Sequence, residues 1–385
     1  SRRAAALLAA TDAVEPDHLL AAFLGREGGA QSLARALVDV DLNADSSKLA
    51  LRYLNSVGTR VPDLRQVLSD SAGFSSEPLE LSPVELAGLV LQVENAGDAS
   101  RGEKLFRSPD LNCLHCHAIG GGGGHLGPDL SGLGTGSPLD YIVESVLFPN
   151  QQIREGFEAW EVSTRDGDFY SGILVRETGD EMVLRDAVHE EIAVPLDEVV
   201  NRRQVGSLMP DGLAAPLRQA ELVDLLRFVS EVGTPGPFAL PDRPIVRTWR
   251  VLESLPADLA APVQEHEVLP AIVEELEWTP RYSLVSGLLP VTEFRSRKPL
   301  PVLARCRLEV TTPGLVGLRV HSTAGLQLWV DRQPVSLQGR PVFELGRGEH
   351  HFTFAIDRSQ VGEGIQVEFV RVPSSSSRFQ VINGR

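Results

Sequence analysis

Two cysteines and a histidine stand close together in the run Cys113-Leu114-His115-Cys116-His117. A gap of two residues places both sulfurs on one side of a helical turn, where each thiol can add across one vinyl group of a haem. The next residue, His117, then directs its imidazole toward the iron, as proximal histidines do. The spacing predicts one covalently bound haem c, attached at Cys113 and Cys116, with His117 as an axial ligand.

Redox-active cysteine pairs and zinc sites also use this spacing. A zinc site needs a second pair of ligands, whereas the chain has only three cysteines, and the third, Cys306, is distant. A redox pair would follow a strand in a βαβ context, which the surrounding sequence lacks. Three cysteines are also too few for a disulfide scaffold, so haem attachment is the preferred interpretation.

A second iron ligand is expected opposite His117, and the chain has two methionines. Met182 lies in an alternating stretch and is predicted to be a β-core residue. Met209 lies in an irregular segment before a helix, where a thioether suits a soft axial ligand. His125 and His189 are rival ligands, although His125 follows His117 by only eight residues and would have to wrap tightly around the haem edge. Met209 is the predicted sixth ligand.

Helices are predicted before and around this motif. Residues 1 to about 95 place apolar side chains at helical spacing. Ser82-Pro83-Val84-Glu85 is a helix start with a hydroxyl cap, an early proline and a glutamate at the third position. Ser100 is expected to cap the next helix, which includes Phe106. Further helices are predicted at 139–147 and 220–232.

From Phe157 the apolar period changes to two, which is typical of strands. Strands are predicted at 158–164, 169–177, 181–184 and 190–194. They form a small antiparallel β unit at about 157–203, inserted between the haem motif and Met209.

The last part of the chain predicts a β-sandwich at 251–385, after a proline- and glycine-rich linker at 235–250. Apolar residues alternate in four runs, at 304–310, 326–330, 352–356 and 365–369. Cys306 alternates with core residues and is predicted to be a buried small hydrophobe. His350 and His351 are neighbours on a strand and point to opposite faces, so they are not expected to bind one metal ion.

Composition limits the function. The net charge of −16 argues against nucleic acid as a partner, and it favours a positively charged partner instead. No apolar run is long enough to span a bilayer. Haem c is attached outside the bacterial cytoplasm, so a periplasmic or cell-surface location is expected. The Ser1-Arg2-Arg3 start is interpreted as the beginning of a helix, in a mature or truncated piece of a longer protein.

The segment from about 97 to 233 resembles a class I cytochrome c domain. Gly102 and Phe106 resemble the N-terminal helix of that family, which crosses a C-terminal helix that here carries Leu225 and Phe228. This resemblance implies that the two helices cross.

The run Gly127-Pro128-Asp129-Leu130 resembles the loop of that family that supports the haem. The resemblance implies that the carbonyl group of Pro128 accepts a hydrogen bond from His117 and fixes its tautomer. Met209-Pro210 resembles the distal loop of the family. The 92 residues between His117 and Met209 exceed the spacing of a small cytochrome, and the β insertion accounts for the excess.

The insertion is similar to that of a haem-binding domain found in large secreted proteins of planctomycetes and verrucomicrobia. The residues in question include Trp160, Gly172 and the run from Ser207 to Leu213. In that family the domain often follows HEAT-like helices and a propeller resembling sugar dehydrogenases. The resemblance therefore implies a dehydrogenase partner or a missing N-terminal part.

The run Leu328-Trp329-Val330-Asp331 is similar to PA14-like or galactose-binding-like sandwiches, which often bind carbohydrate. A purely structural or protein-docking sandwich is the alternative.

These features predict a multidomain α+β protein. Its predicted parts are a HEAT-like helical segment at 1–95, a cytochrome c domain at 96–234, a linker and an antiparallel sandwich. The expected function is transfer of single electrons with a redox partner protein, either a dehydrogenase or another cytochrome, and the protein is not expected to be catalytic by itself. Two alternatives stay open: a peroxidase-like haem enzyme with an open sixth position, and a carbohydrate-binding or adhesive protein with an accessory haem.

Overall fold

A computed structural model describes residues 2–9, 17–26, 28–56, 61–73, 81–108, 111, 113–186, 191–294 and 301–383. The chain divides into two compact units. The first consists of Ser1–Cys113 and Gly136–Glu231, and the second of Leu114–Thr135 and Val232–Arg385. The rival ligand His189 lies outside the described residues, as does the first residue of the strand predicted at 190–194.

Helices occur in both units, and most of them lie in the first. The described residues form α1 (Arg2–Ala9), α2 (Asp17–Leu24), α3 (Gly29–Leu37), α4 (Ala44–Ser56), α5 (Pro62–Ser71), α6 (Pro83–Ala96), α7 (Ala99–Phe106), α8 (Cys113–Cys116), α9 (Leu133–Gly136), α10 (Leu139–Leu147), α11 (Gln219–Glu231) and α12 (Ala257–Gln264). Helices α1 to α5 share one apolar core of alanine and leucine side chains, among them Ala5, Leu33 and Leu54. The predicted helices of residues 1–95 are therefore present in the part of this segment that the structure describes.

Strands also occur in both units. They are β1 (Ala118–Ile119), β2 (Gly122–Gly123), β3 (Glu158–Thr164), β4 (Phe169–Glu177), β5 (Glu181–Arg185), β6 (Ile192–Pro195), β7 (Val199–Ser207), β8 (Thr248–Leu252), β9 (Thr279–Tyr282), β10 (Leu288–Pro290), β11 (Val302–Thr312), β12 (Gly314–Val320), β13 (Leu326–Val330), β14 (Gln333–Val335), β15 (Val342–Leu345), β16 (Gly348–Ile356), β17 (Gly364–Arg371) and β18 (Arg378–Val381). The α+β fold class is thereby confirmed.

The starts of α6 and α7 follow the chemistry of their capping residues. At α6 the Ser82 hydroxyl accepts from the Glu85 backbone N–H, and the Glu85 carboxylate accepts from the Ser82 N–H, which is the predicted capping box. At α7 the prediction of Ser100 as the cap is wrong. Asp98 caps this helix instead, because its carboxylate accepts from the Arg101 N–H at 2.9 Å.

Helix α11 crosses α7 as the family resemblance implied. A β-carbon on Gly102 would lie 1.9 Å from the backbone oxygen of Asp224, so only glycine allows this approach. The rings of Phe106 and Phe228 meet beside the crossing, with centroids 5.4 Å apart. The Arg101 guanidinium donates to both carboxylate oxygens of Asp224, at 2.6 and 2.9 Å, and this pair ties the two helices together.

The inserted β unit is a five-stranded antiparallel sheet with the order β6-β5-β4-β3-β7. Its small core includes Val162, Met182, Leu184 and Val194, so Met182 is a β-core residue as predicted. The edge strand β7 was not predicted. Most of its residues are exposed, and an exposed strand has no alternation of apolar side chains to reveal it.

The second unit contains the predicted sandwich. A four-stranded sheet (β10-β17-β12-β15) and a seven-stranded sheet (β14-β13-β16-β11-β8-β9, with β18 paired to β11) enclose one apolar core. The side chains of Cys306, Phe352 and Phe369 lie in it. Strand β8 begins within the stretch expected as a linker, and its Trp249 is buried.

Candidate haem-binding site

Helix α8 is a single turn that begins and ends with a cysteine, Cys113 and Cys116. Both residues are half-buried, and within the described chain neither sulfur takes part in a disulfide. Backbone hydrogen bonds fasten this turn to the next residues of the chain, since the Gly124 N–H donates to the Leu114 oxygen at 2.9 Å and the Gly127 N–H to the Cys116 oxygen at 2.8 Å. Both thiols therefore sit on one short, anchored helical turn, as a haem c attachment requires.

His117 follows the turn directly, and its Nδ1 lies 2.8 Å from the carbonyl oxygen of Pro128. A carbonyl oxygen only accepts, so Nδ1 must carry the proton and donate it. The hydrogen bond leaves the lone pair of Nε2 available for a metal ion and fixes the ring orientation. The contact between Pro128 and His117 is the one that the family resemblance implied.

Burial lowers the pKa of His117 below its ordinary value, although the Pro128 carbonyl and the Asp129 carboxylate act to raise it. A lowered pKa favours the neutral imidazole at physiological pH. Neutral imidazole is the form that binds iron, so the surroundings of the ring keep His117 ready to act as a ligand.

Glycines allow the backbone to close around His117. A β-carbon on Gly127 would lie 2.4 Å from Cε1 of the His117 ring and 2.9 Å from its Nε2. A β-carbon on Gly123 would meet the His117 backbone oxygen at 2.1 Å, and Gly123 has a φ of 130°, which side chains rarely adopt. The glycine-rich loop is thus a close-fitting support for the imidazole.

The hairpin β1–β2 and the loop after it complete this support. Leu130 N–H donates to the Ala118 oxygen at 2.9 Å, and Gly120 N–H donates to the Ser131 hydroxyl at 2.7 Å. These bonds join the start and the end of the segment from Ala118 to Ser131, with Pro128 between them. The position of the Pro128 carbonyl is therefore determined by the backbone of its own loop.

The residues of this site fit haem c. Two cysteines on one helical turn, an imidazole with its Nδ1–H already engaged, and a glycine packed against the ring suit the attachment and ligation of this group. When bound, haem supplies an iron that changes between Fe(III) and Fe(II). Within the described residues, no group of three His, Cys, Asp or Glu side chains could hold another metal ion.

Met209 lies in the first unit, in the irregular loop between β7 and α11, and it is half-buried. The loop conformation is as predicted, while the pairing of Met209 with His117 stays a prediction. His125 is exposed on the loop that follows β2. The structure thus brings together His117, Gly127 and Pro128. It places Met182 in the core of the inserted sheet and Met209 in a loop.

Residues 99–163 match the family model of cytochrome c. The match begins in α7, includes the haem motif and the Gly127–Pro128 loop, and ends in β3, before Met209. The chain therefore contains a class I cytochrome c domain, which is a haem-binding, electron-transfer module with one covalent haem c. No curated protein matches the chain.

Among the described helices, none is long and apolar enough to cross a bilayer. Residues 99–163 match the cytochrome c family, whose domains typically function outside the cytoplasm in bacteria.

Sequence reasoning missed two residues near this chemistry. Arg247 lies against the β1–β2 hairpin, and Asn150 binds both sides of the Met209 loop. Neither belongs to a motif, and both act across long sequence separations, so no local pattern could have indicated them.

Proposed function

We propose that this protein transfers single electrons through one haem c attached at Cys113 and Cys116, with His117 and Met209 as the axial ligands. The observation that supports this most directly is the 2.8 Å hydrogen bond between His117 Nδ1 and the Pro128 oxygen, directly after the cysteine turn. With both axial positions filled by the protein, no coordination position is open for substrate. The chemistry is then confined to gain and loss of an electron.

Each of the remaining residues has a supporting role in this proposal. Pro128 holds the tautomer of His117 through its carbonyl group, and Gly127 leaves room for the ring. A histidine and a methionine on the iron raise its reduction potential relative to two histidines, because the thioether favours Fe(II).

The donor in this proposal is a dehydrogenase of the sugar-oxidising kind or another cytochrome, in the periplasm or at the cell surface. The net charge of −16 favours a positively charged docking face on that partner. In this proposal the cytochrome c domain, at 96–234, is of the planctomycete and verrucomicrobial type. A HEAT-like segment at 1–95 precedes it, and a PA14-like or galactose-binding-like sandwich follows from 251. Trp160, Gly172 and the Ser207–Leu213 run support the family assignment.

A redox titration followed by absorption spectroscopy tests the ligand set. The ferric protein should be low-spin, show the weak far-red band of Met–Fe(III) coordination, and titrate as one single-electron centre. Met209→Ala should abolish that band and lower the midpoint potential, because the thioether ligand is lost.

Met182→Leu is the matched control for the titration. Met182 is a fully buried β-core residue, and a methionine-to-leucine change conserves volume, so the spectrum and the potential should stay as in the wild type. A high-spin ferric spectrum that Met209→Ala leaves unchanged would contradict the proposal and favour the peroxidase-like alternative. Mass spectrometry should find both Cys113 and Cys116 bonded to haem.

A further inference from the structure

The chain changes direction just before Met209. Strand β7 pairs with β3 through a bulge, in which Ala159 faces Gly206 and Trp160 faces Gln204, so one residue of β7 is extra. Gly206 follows the bulge with a φ of 101°, a conformation that other residues rarely adopt. The bulge and this glycine lead the chain out of the sheet and into the Met209 loop.

The side chain of Asn150 lies at this turn. A β-carbon on Gly206 would be only 2.5 Å from Asn150 Oδ1, so the amide oxygen sits directly over the turning backbone. That oxygen accepts the Ser207 backbone N–H at 2.9 Å. The amide nitrogen of the same side chain donates to both carboxylate oxygens of Asp211, at 3.0 and 3.1 Å.

Asn150 therefore holds both ends of a short loop with Met209 at its centre. Ser207 lies two residues before Met209 and Asp211 two residues after it. Inside the loop, the Met209 N–H donates to the Ser207 hydroxyl at 3.1 Å. All these groups belong to the first unit, and Asn150 itself comes from the segment between α10 and β3, far from the loop in sequence.

We propose that Asn150 is the positioning residue for the axial methionine: its amide fixes the Met209 loop in one conformation and so keeps the thioether on the iron. The inference rests on the proposed function, in which Met209 is the sixth ligand. An asparagine suits this role because one amide accepts on one side and donates on the other, which neither aspartate nor alanine can do.

Imidazole added to the ferric protein is the probe, because it competes with the methionine for the sixth position. Asn150→Ala removes the hydrogen bonds to Ser207 and Asp211, so the Met209 loop should open more often. Imidazole should then bind about threefold to tenfold more tightly, which corresponds to roughly 1 kcal/mol for the lost hydrogen bonds. The far-red Met–Fe(III) band should weaken in parallel. Global stability is measured separately, by urea unfolding, since a loss of stability alone would not tighten imidazole binding.

A charge-swapped pair of substitutions tests the contact itself. Asn150→Asp alone keeps an acceptor for the Ser207 N–H but sets two carboxylates against each other, so imidazole should bind at least as tightly as in Asn150→Ala. Asp211→Asn alone retains an amide oxygen as acceptor, and its effect should be small. The double variant reverses the polarity of the bond and should return imidazole affinity to near the wild-type value.

Asn201→Ala is the matched control, since Asn201 is an exposed asparagine on β7, the strand that leads into the loop. It should leave imidazole affinity unchanged. If the wild type shows the far-red band and all Asn150 variants bind imidazole as it does, the positioning role of Asn150 is overturned while Met209 ligation stands. If the wild type lacks the band, Met209 ligation fails, and the role of Asn150 fails with it.

Discussion

Two contacts restrict the imidazole of His117: a hydrogen bond to Pro128 and the close packing of Gly127 against the ring. The Pro128 carbonyl fixes the proton on Nδ1. Gly127 lies so close to the ring that a β-carbon at this position would clash with it. Both constraints come from neighbouring residues of one loop. Together they restrict the orientation of the ring, which helps a ligand when the iron changes oxidation state with little rearrangement.

Gly127→Ala tests the second constraint. The added methyl group would lie 2.4 Å from Cε1 of His117, so the ring must tilt or the loop must move away from it. We expect a loss of about 1–3 kcal/mol in the free energy of unfolding from overpacking. We also expect the ferric protein to become partly high-spin, because a tilted imidazole binds iron less strongly. Absorption and electron paramagnetic resonance spectra measure the spin state.

Gly132→Ala is the matched control in the same loop, since the nearest atom to its β-carbon would be the Thr135 hydroxyl, at 4.0 Å. This variant should keep the wild-type spectrum and stability. A low-spin Gly127→Ala protein of wild-type stability would show that the loop yields easily, and that the close fit around His117 has no effect on ligation.

Among the elements, the crossing of α7 and α11 leaves no room for a side chain at Gly102. Gly102→Ala would place a methyl group 1.9 Å from the Asp224 backbone oxygen and 2.7 Å from the β-carbon of Phe228. Backbone atoms cannot move aside as a flexible side chain can. The helices must separate, and we expect the free energy of unfolding to fall by about 1–3 kcal/mol or more. Urea unfolding followed by far-UV circular dichroism measures it.

The same substitution in α6 should have the opposite sign. Gly88 lies within that helix, and its β-carbon would have no heavy atom within 4 Å. Alanine is a better helix former than glycine, so Gly88→Ala should stabilise the protein by about 0.5–1 kcal/mol. Equal effects of the two substitutions would contradict a steric role for Gly102.

A second element, the turn between β13 and β14, depends on the protonation of a histidine. Asp331 and Arg332 form this turn with φ values of 48° and 70°. His350 on β16 holds it: one ring nitrogen lies 2.6 Å from the Asp331 carboxylate and the other 3.0 Å from the Gly346 oxygen. Both partners accept, so both nitrogens must be protonated to donate.

Partial burial acts to lower the pKa of His350, but the hydrogen bonds to Asp331 and Gly346 outweigh it and raise the pKa above its ordinary value. A raised pKa means that this stabilisation is fully present below the pKa of an unfolded histidine, about 6.5, and is lost as pH rises through the folded value. Asp331 is half exposed, so the loss should be below about 1 kcal/mol.

Unfolding free energies measured from about pH 5.5 to pH 8.5, the range in which histidines titrate, check this expectation. The wild type should lose more stability toward high pH than His350→Gln does. The exposed His321→Gln variant should follow the wild type. If the curves of His350→Gln and the wild type are parallel, the histidine does not hold the turn through its charge.

At the scale of elements, the sequence predicted the strands whose apolar residues alternate with polar ones. Cys306 on β11 and Phe352 on β16 alternate with polar residues and do face the core. Strand β7 was missed because its exposed residues show no pattern, and the α7 cap was misplaced because Ser100 and Asp98 are both good capping residues. The haem attachment motif could be predicted because two covalent bonds to one haem determine the spacing of its cysteines. The contacts of Asn150 with the Met209 loop are tertiary contacts, and no local sequence pattern indicates them.

On the scale of the whole molecule, the haem-binding loop and the sandwich form one compact unit, since Leu114–Thr135 groups with Val232–Arg385. The predicted domain bounds, which follow the chain continuously, do not anticipate this grouping. Arg247 is a central contact within the unit. It is 5% exposed, and β-carbons on Gly120 and Gly122 would lie 2.5 and 2.9 Å from its side chain.

Arg247 also connects the hairpin to other parts of the sandwich. Its guanidinium donates to the Val285 oxygen at 2.8 Å, and its backbone N–H donates to the Asn383 side chain at 3.0 Å. Asn383 in turn lies beside Gly121 of the hairpin, where an added β-carbon would be 3.3 Å from the β-carbon of Asn383. Sandwich, hairpin and C-terminal segment therefore meet at one buried arginine, and we infer that the sandwich stabilises the haem-binding loop.

Arg247→Leu tests this coupling. The substitution removes the hydrogen bond to Val285 and the side chain against which the hairpin glycines pack, so the free energy of unfolding should fall by about 1–3 kcal/mol. Urea unfolding is followed by haem absorption, which reports the loop, and by tryptophan fluorescence, to which Trp249 and Trp329 of the sandwich contribute. Both midpoints should fall together. Arg250→Leu changes an exposed arginine on β8 and should change the free energy of unfolding by less than about 0.5 kcal/mol with either probe. Should only the fluorescence midpoint fall in Arg247→Leu, the haem-binding loop would hold its structure without the sandwich, and the coupling through Arg247 would be disproved.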